Sequence, residues 1–208
     1  MITKDNHFLI ILSAPSGGGK STILNEILKV AEDIDYSVSY TTRHPRGTEQ
    51  NGIHYHFVTE EEFQKRISEG DFLEYANVFG NWYGTSKSFI RNRLAVKHHV
   101  ILDIDVQGAS LISSTDIPYV KIFILPPSME VLHQRLVLRA TDSEEEIAKR
   151  LQIAKEEVAF IPQYDYLVIN DKLEIAVQDV LAIIRAEENR VSRYHHPARD
   201  FISTGENR

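Results

Sequence analysis

Apolar residues in this chain gather in four short runs, at 7–13 (HFLIILS), 100–106 (VILDIDV), 120–125 (VKIFIL) and 166–169 (YLVI). Each is too short for a helix and rich in Ile, Val and Leu, the pattern of strands buried on both faces of a parallel sheet. Between them the apolar positions step by three or four: Ile23, Leu24, Ile27 and Leu28; Ile147, Leu151, Ala154 and Val158; Ala176, Val177, Val180, Leu181 and Ile184. That spacing predicts amphipathic helices. Strands alternating with helices imply an α/β fold, a parallel sheet flanked by helices with right-handed crossovers. Residues 41–96 break the rhythm. They show alternation at 53–58, a capping-box pattern at Thr59 to Glu62, then aromatics and glycines, which predicts an insertion with its own small sheet and helix. The stretch 194–208 is polar and aperiodic and reads as a mobile tail.

Composition narrows the class. Among 208 residues, 23 Lys and Arg against 30 Asp and Glu leave a net charge of −7, and 42% of the residues are apolar. This describes an ordinary globular chain with one full core or two small ones, and its acidic balance argues against broad nucleic-acid binding. No stretch reaches the roughly 18 apolar residues of a membrane span, and no signal peptide precedes the first run, so a cytoplasmic enzyme without membrane or nucleic-acid partners is expected. The absence of cysteine removes disulfides, thiolate metal sites and cysteine nucleophiles together.

Directly after the first run stands Ala14-Pro15-Ser16-Gly17-Gly18-Gly19-Lys20-Ser21-Thr22, followed by the first helical pattern. Strand, glycine loop and helix in this order make a phosphate cradle: backbone N–H groups turn inward around phosphate oxygens and the helix N-terminus adds positive potential. Lys20 reaches the outer phosphates, and the Ser21 hydroxyl can ligate Mg²⁺. Ala14 occupies a position where the pattern begins with glycine, so its backbone must accept a Cβ. The run ending at Asp103 puts a carboxylate at the C-terminal edge of the sheet, near such a metal. Together these features point to Mg-nucleotide hydrolysis or transfer.

The loop APSGGGKST, with SVSYTTRHPRGTEQNGIHYHF (37–57), GDFLEYANVFGNWYGTS (70–86), VILDIDVQGA (100–109), ILPPS (124–128) and VIND (168–171), resembles the guanylate kinase family over nearly the whole chain. The resemblance implies a P-loop NTPase-type parallel-sheet core (1–40, 97–125 and 161–193), a small α+β GMP-binding insertion (41–96) and a helical lid (126–160). It implies that ATP phosphorylates GMP to GDP with Mg²⁺ as cofactor. Carried over position by position, contacts to the GMP phosphate fall on Ser39, Arg43, Arg46, Tyr55 and Tyr83, and contacts to guanine on Glu74, Thr85 and Asp105. The chemistry fits, since fixed guanidinium forks and hydroxyls suit a dianion and a carboxylate can accept from guanine's ring N–H and exocyclic amine.

The resemblance further assigns catalytic roles to Lys20, Arg43 and the lid arginines Arg139 and Arg150, with Arg135 nearby, and adenine contacts to Asn170 and Asp171. The metal falls on Ser21 and, through water, on Asp103. Where the family usually reads Gly-Arg-Gly around its first lid arginine, this chain has Leu138-Arg139-Ala140. Nine histidines show no metalloprotease-type spacing, so no transition-metal site is expected. ATP and GMP are the expected partners, with homo-oligomerisation left open. Two other readings share the loop: a non-catalytic guanylate-kinase-like binding module, and a P-loop kinase of a sugar phosphate.

Overall fold

The computed structural model describes residues 3–4, 6–113, 115–138 and 143–195. In chain order its first elements are β1 (Thr3–Lys4), β2 (Leu9–Ser13), α1 (Lys20–Val30), β3 (Ile34–Tyr36), β4 (Tyr40–Thr41), β5 (His56–Phe57) and α2 (Glu60–Ser68). Then come β6 (Phe72–Val78), β7 (Asn81–Ser86), α3 (Lys87–Ala95), β8 (His99–Asp103), α4 (Val106–Leu111) and β9 (Tyr119–Leu125). The chain continues through α5 (Met129–Leu138), α6 (Glu144–Val158), β10 (Tyr166–Ile169), α7 (Leu173–Glu188) and β11 (Tyr194–His195).

The core is a five-stranded, all-parallel sheet in the order β10-β9-β2-β8-β3. Every residue of the central β2 is buried, which is why its sequence lacks alternation. One face packs Ile10, Leu12 and Ile122 against Ile23 and Ile27 of α1 and Ala176, Val180 and Ile184 of α7. The other packs Leu9, Ile11 and Leu102 against Ile90 of α3 and Ala109 of α4. Helices on both faces of an open parallel sheet make this a P-loop NTPase-type α/β fold. Because the strands are parallel, the segments that follow β2, β3, β8 and β10 all emerge at one edge.

A second sheet, β5-β4-β7-β6, is mostly antiparallel. Phe63 of α2 stacks on Phe72, their ring centroids 4.4 Å apart, and Gly84 is required beneath them because a Cβ there would lie 3.0 Å from both rings. Helices α5 and α6 pack on each other through Leu132, Leu136, Ile147 and Ala154.

Four local expectations change. A fifth core strand, β3, escapes the apolar pattern because it is a three-residue edge with only Ile34 buried. The run 100–106 is not one strand: β8 stops at Asp103, and Asp105 caps α4 by accepting from the Gly108 N–H at 2.7 Å. The alternation at 53–58 yields only His56–Phe57 as strand, because Asn51 accepts from the Phe57 N–H at 2.8 Å and Gly52, at φ 79°, turns the chain. Thr59 caps α2 by accepting from Glu62 N, whereas the reciprocal capping box forms at Ser143 and Glu146 instead. At the end of the chain, Tyr194–His195 pairs antiparallel with Thr3–Lys4, and the rest of the expected tail lies outside the described residues. Among the described residues no helix is long and apolar enough to cross a membrane.

Candidate functional site

The loop between β2 and α1 is shaped by two left-handed glycines, Gly17 at φ 89° and Gly19 at φ 92°. Side chains there would be strained and would also collide: a Cβ on Gly17 would lie 2.9 Å from Leu136 of α5, and one on Gly19 only 2.2 Å from the Asn170 amide. Ala14 is buried and has no positive φ, so the missing first glycine costs the loop nothing. Lys20 Nζ donates to Ile104 O at 3.0 Å and pairs with Asp103 Oδ1 at 2.6 Å, while the Ser21 hydroxyl donates to Asp103 Oδ2 at 3.3 Å. The sheet edge thus joins a cation, a carboxylate and a hydroxyl at the N-terminus of α1.

Asn170 has partners of its own within the fold. It is buried, its side-chain amide donates to Gly18 O at 2.9 Å, and its own carbonyl accepts from Arg135 Nη2 at 2.8 Å. It braces the loop from beneath, and Asp171 beside it is exposed. Arg135 takes its place in this brace, one of its terminal nitrogens lying buried without a hydrogen-bond partner.

Beside the loop lies a cleft of about 410 Å³ whose walls include Lys20, Asp103, Ser39, Tyr55, Glu74 and Asp105. Tyr83 joins this wall, its ring 5.9 Å from that of Tyr55 and nearly perpendicular to it. Glu74 is 8% exposed. Burial, reinforced by the charge of Asp105, pushes its carboxyl up, while the Thr85 hydroxyl holds it down. That hydroxyl donates to Glu74 Oε1 at 2.6 Å, and Thr85 is wholly buried. Thr85 therefore sits behind Glu74 and fixes its orientation. Gly108 lies on the floor of the cleft, where a Cβ would make only ordinary contact with Asp105 Oδ1 and Glu74 Oε2.

Arg43 is 9% exposed and engaged with a partner the sequence reading missed. Glu49 takes both of its terminal nitrogens, at 3.0 and 2.9 Å, and also accepts from the Arg46 backbone N–H at 2.7 Å. Arg43 holds the Glu49 carboxyl down at about 2, with help from that N–H, and Glu49 in turn raises the guanidinium. The Arg46 side chain is exposed. On α6, Arg150 Nη1 donates to Ser16 Oγ at 3.4 Å; Arg139 and Ala140 lie outside the described residues.

Tyr36 and Gln107 also line the cleft; Tyr36 stands in no motif, and Gln107, though inside VILDIDVQGA, is assigned no role there. The Tyr36 phenol is raised by burial and by the charge of Asp103. Among the described residues no histidine lines this cleft. Asp33, His99 and Glu188 bring their ligand atoms within 4.8 Å of one another, but Phe8 N–H donates to His99 Nδ1, so the proton sits on Nε2 and is directed at Glu188 Oε1, 3.0 Å away. In this pair the imidazole keeps no open ring nitrogen for a metal.

A glycine loop at a helix N-terminus, at the carboxyl edge of a parallel sheet and beside a polar cleft, is the arrangement of a P-loop phosphotransferase. The family model described as guanylate kinase matches residues 6–187. A guanylate kinase of Clostridium perfringens (strain ATCC 13124) is 48% identical over 92% of this chain and 89% of its own. That of Methylobacillus flagellatus is 49% identical over 88% and 90%. The crystal structure of guanylate kinase from Anaplasma phagocytophilum superposes with a TM-score of 0.75 at 33% identity, over 97% of this chain and 96% of that one. The chain belongs to the guanylate kinase family. It is a nucleoside monophosphate kinase that phosphorylates GMP with ATP, giving GDP and ADP.

Proposed function

We propose that the loop 14–22 holds the ATP phosphates, that the cleft beside it holds GMP, and that Lys20 and Asp103 mark the line of transfer between them. The observation that carries this is the single cleft with Lys20 and Asp103 on one side and Glu74 and Asp105 on the other. A phosphate seated on the loop and a purine reaching Glu74 share that space. GMP's phosphate oxygen is already an anionic nucleophile, so alignment and charge neutralisation are the protein's tasks and no general base is required. Ser39, Tyr55 and Tyr83, with Arg43 held ready by Glu49, receive the acceptor phosphate; Arg46 reaches it only by leaving solvent. Glu74 and Asp105 accept from guanine, and Thr85 acts through Glu74.

The chemistry of the donors fits Mg²⁺: the Ser21 hydroxyl and the Asp103 carboxylate are hard oxygen ligands 3.3 Å apart, matched to a small, strongly hydrated cation. Ser21 and Asp103 would hold it, and when bound with ATP it would supply charge neutralisation on the phosphate oxygens. The segment 126–160 serves as a lid that delivers Arg150, and Arg139, to the moving phosphoryl group, and 41–96 serves as the acceptor domain. The kinase is expected to work in the cytoplasm.

The purified protein with Mg-ATP should convert GMP far faster than AMP or a ribose phosphate, as followed by ³¹P NMR. Equal conversion of a ribose phosphate would overturn the acceptor assignment.

A further inference from the structure

Tyr36 ends β3, an edge strand of the core sheet. Its ring packs against the core cluster on the α1 face, yet the residue is only half-buried and lines the cleft. A tyrosine seated this way keeps its apolar body in the core and turns its polar tip outward, so what Tyr36 brings to the cleft is its hydroxyl. The strand register fixes where that hydroxyl lies. Tyr36 pairs with Ile101 of β8, and because side chains two apart on a strand share a face, Asp103 stands on the same face one step nearer the carboxyl edge. The chain after Tyr36 is held to that edge, Ser37 N–H donating to Ile101 O at 3.0 Å, and it then carries Ser39 into the same cleft. The phenol therefore belongs to the side of the cleft that holds Lys20, Asp103 and Ser39. Burial, and after it the charge of Asp103, push the phenol up, which agrees with that place and keeps the hydroxyl a donor.

We infer that the Tyr36 hydroxyl is a further ligand of the acceptor phosphate, donating to a phosphate oxygen of GMP alongside Ser39 and Tyr55. Both oxygens of the neighbouring Asp103 already have donors, Oδ1 from Lys20 at 2.6 Å and Oδ2 from Ser21 at 3.3 Å, so the phenol is the group on this wall that can serve the substrate. The acceptor phosphate is the nucleophile of the transfer, and a neutral O–H restricts its rotation without adding a further full charge beside the ATP phosphates. Tyr36 binds and orients in this way and exchanges no proton with the substrate.

The inference rests on the reading of this cleft as the GMP site, and the experiment separates the two. The affinities of GMP and of guanosine, which lacks the phosphate, are measured by titration calorimetry without ATP for wild type, Tyr36→Phe and Glu74→Gln, with thermal melts confirming folding and a coupled assay giving kcat. Phe keeps the ring on the core and deletes one oxygen, so the fold should survive. Loss of a hydrogen bond to a charged group should weaken GMP roughly 10- to 100-fold in Tyr36→Phe, leave guanosine unchanged and move the ³¹P resonance of bound GMP. Unchanged GMP binding by Tyr36→Phe overturns the inference. Equal losses for GMP and guanosine mark the hydroxyl as serving the fold, the base or the ribose, and a fall in kcat with GMP affinity intact assigns it to Asp103; either result also overturns the inference. Should Glu74→Gln bind guanosine as wild type does, the reading of the cleft itself fails. Weaker guanosine binding by Glu74→Gln, with GMP unchanged in Tyr36→Phe, defeats only the role of Tyr36.

Discussion

Glu74→Gln is the substitution whose outcome the packing dictates most closely. Gln is isosteric with Glu, so the fold should survive. What changes is which atom faces the acceptor base. Thr85 Oγ1 donates to Glu74 Oε1 at 2.6 Å and is itself wholly buried. The amide oxygen must take that position, because the opposite rotamer would make the Thr85 hydroxyl an acceptor and strand its own proton at about 1–3 kcal/mol. The amide NH₂ then replaces Oε2 on the open side and meets guanine's N–H donors. One hydrogen bond to a charged group, worth about 1.5–3 kcal/mol, is lost, and two facing donors add an unsatisfied-group cost of about 1–3 kcal/mol. A total of about 2.5–6 kcal/mol corresponds to a fall of roughly 10²–10⁴ in kcat/KM for GMP. Adenine presents an acceptor at its ring nitrogen, so AMP should not lose in step, and the GMP/AMP ratio should collapse. A coupled assay at fixed ATP and Mg²⁺ measures both substrates. Thr85→Val provides the internal check: without the hydroxyl the Gln amide is free to turn, so the double variant should recover part of the GMP activity. An unchanged GMP/AMP ratio in Glu74→Gln, or strictly additive losses in the double variant, would refute the reasoning.

Lys20→Met should nearly abolish transfer with the fold intact, since the loop backbone remains while the cation that pairs with Asp103 is gone; wild-type turnover in a folded variant would exclude the role. Asn170→Ala removes the donor to Gly18 O, leaving a buried carbonyl unpaired at about 1–3 kcal/mol, so calorimetry should show Tm lowered by several degrees, at about 2–4 °C per kcal/mol for a chain of this size, and KM for ATP should rise. Glu49, held at about 2 against an ordinary 4.5, contributes stability that is complete above pH 4.5 and is lost as pH falls toward 2. Carboxyl ¹³C NMR should find that low midpoint in the wild type and its return toward 4.5 in Arg43→Ala, and a wild-type midpoint already near 4.5 would contradict the pairing.

The sequence by itself determined the class of fold and the phosphate loop. Continuous apolar runs, helical spacing and the glycine-lysine-serine stretch are local signals, and each is set by residues adjacent along the chain. It was less informative wherever polar side chains compete for the backbone. Asn51 and Gly52 shortened an alternating segment, and Asp105 ended a strand-like run by capping a helix. Only the tertiary structure decided what each site residue is occupied with. Asn170 lies 152 positions from Gly18 and braces its carbonyl, Thr85 spends its hydroxyl on Glu74, Arg43 is held by Glu49, and Arg150 reaches Ser16 of the loop from another helix. Side-chain hydrogen-bond partners are set by which strand ends share an edge and which helix face lies over them. That information arises when the parallel sheet assembles and has no counterpart in the spacing of residues along the chain.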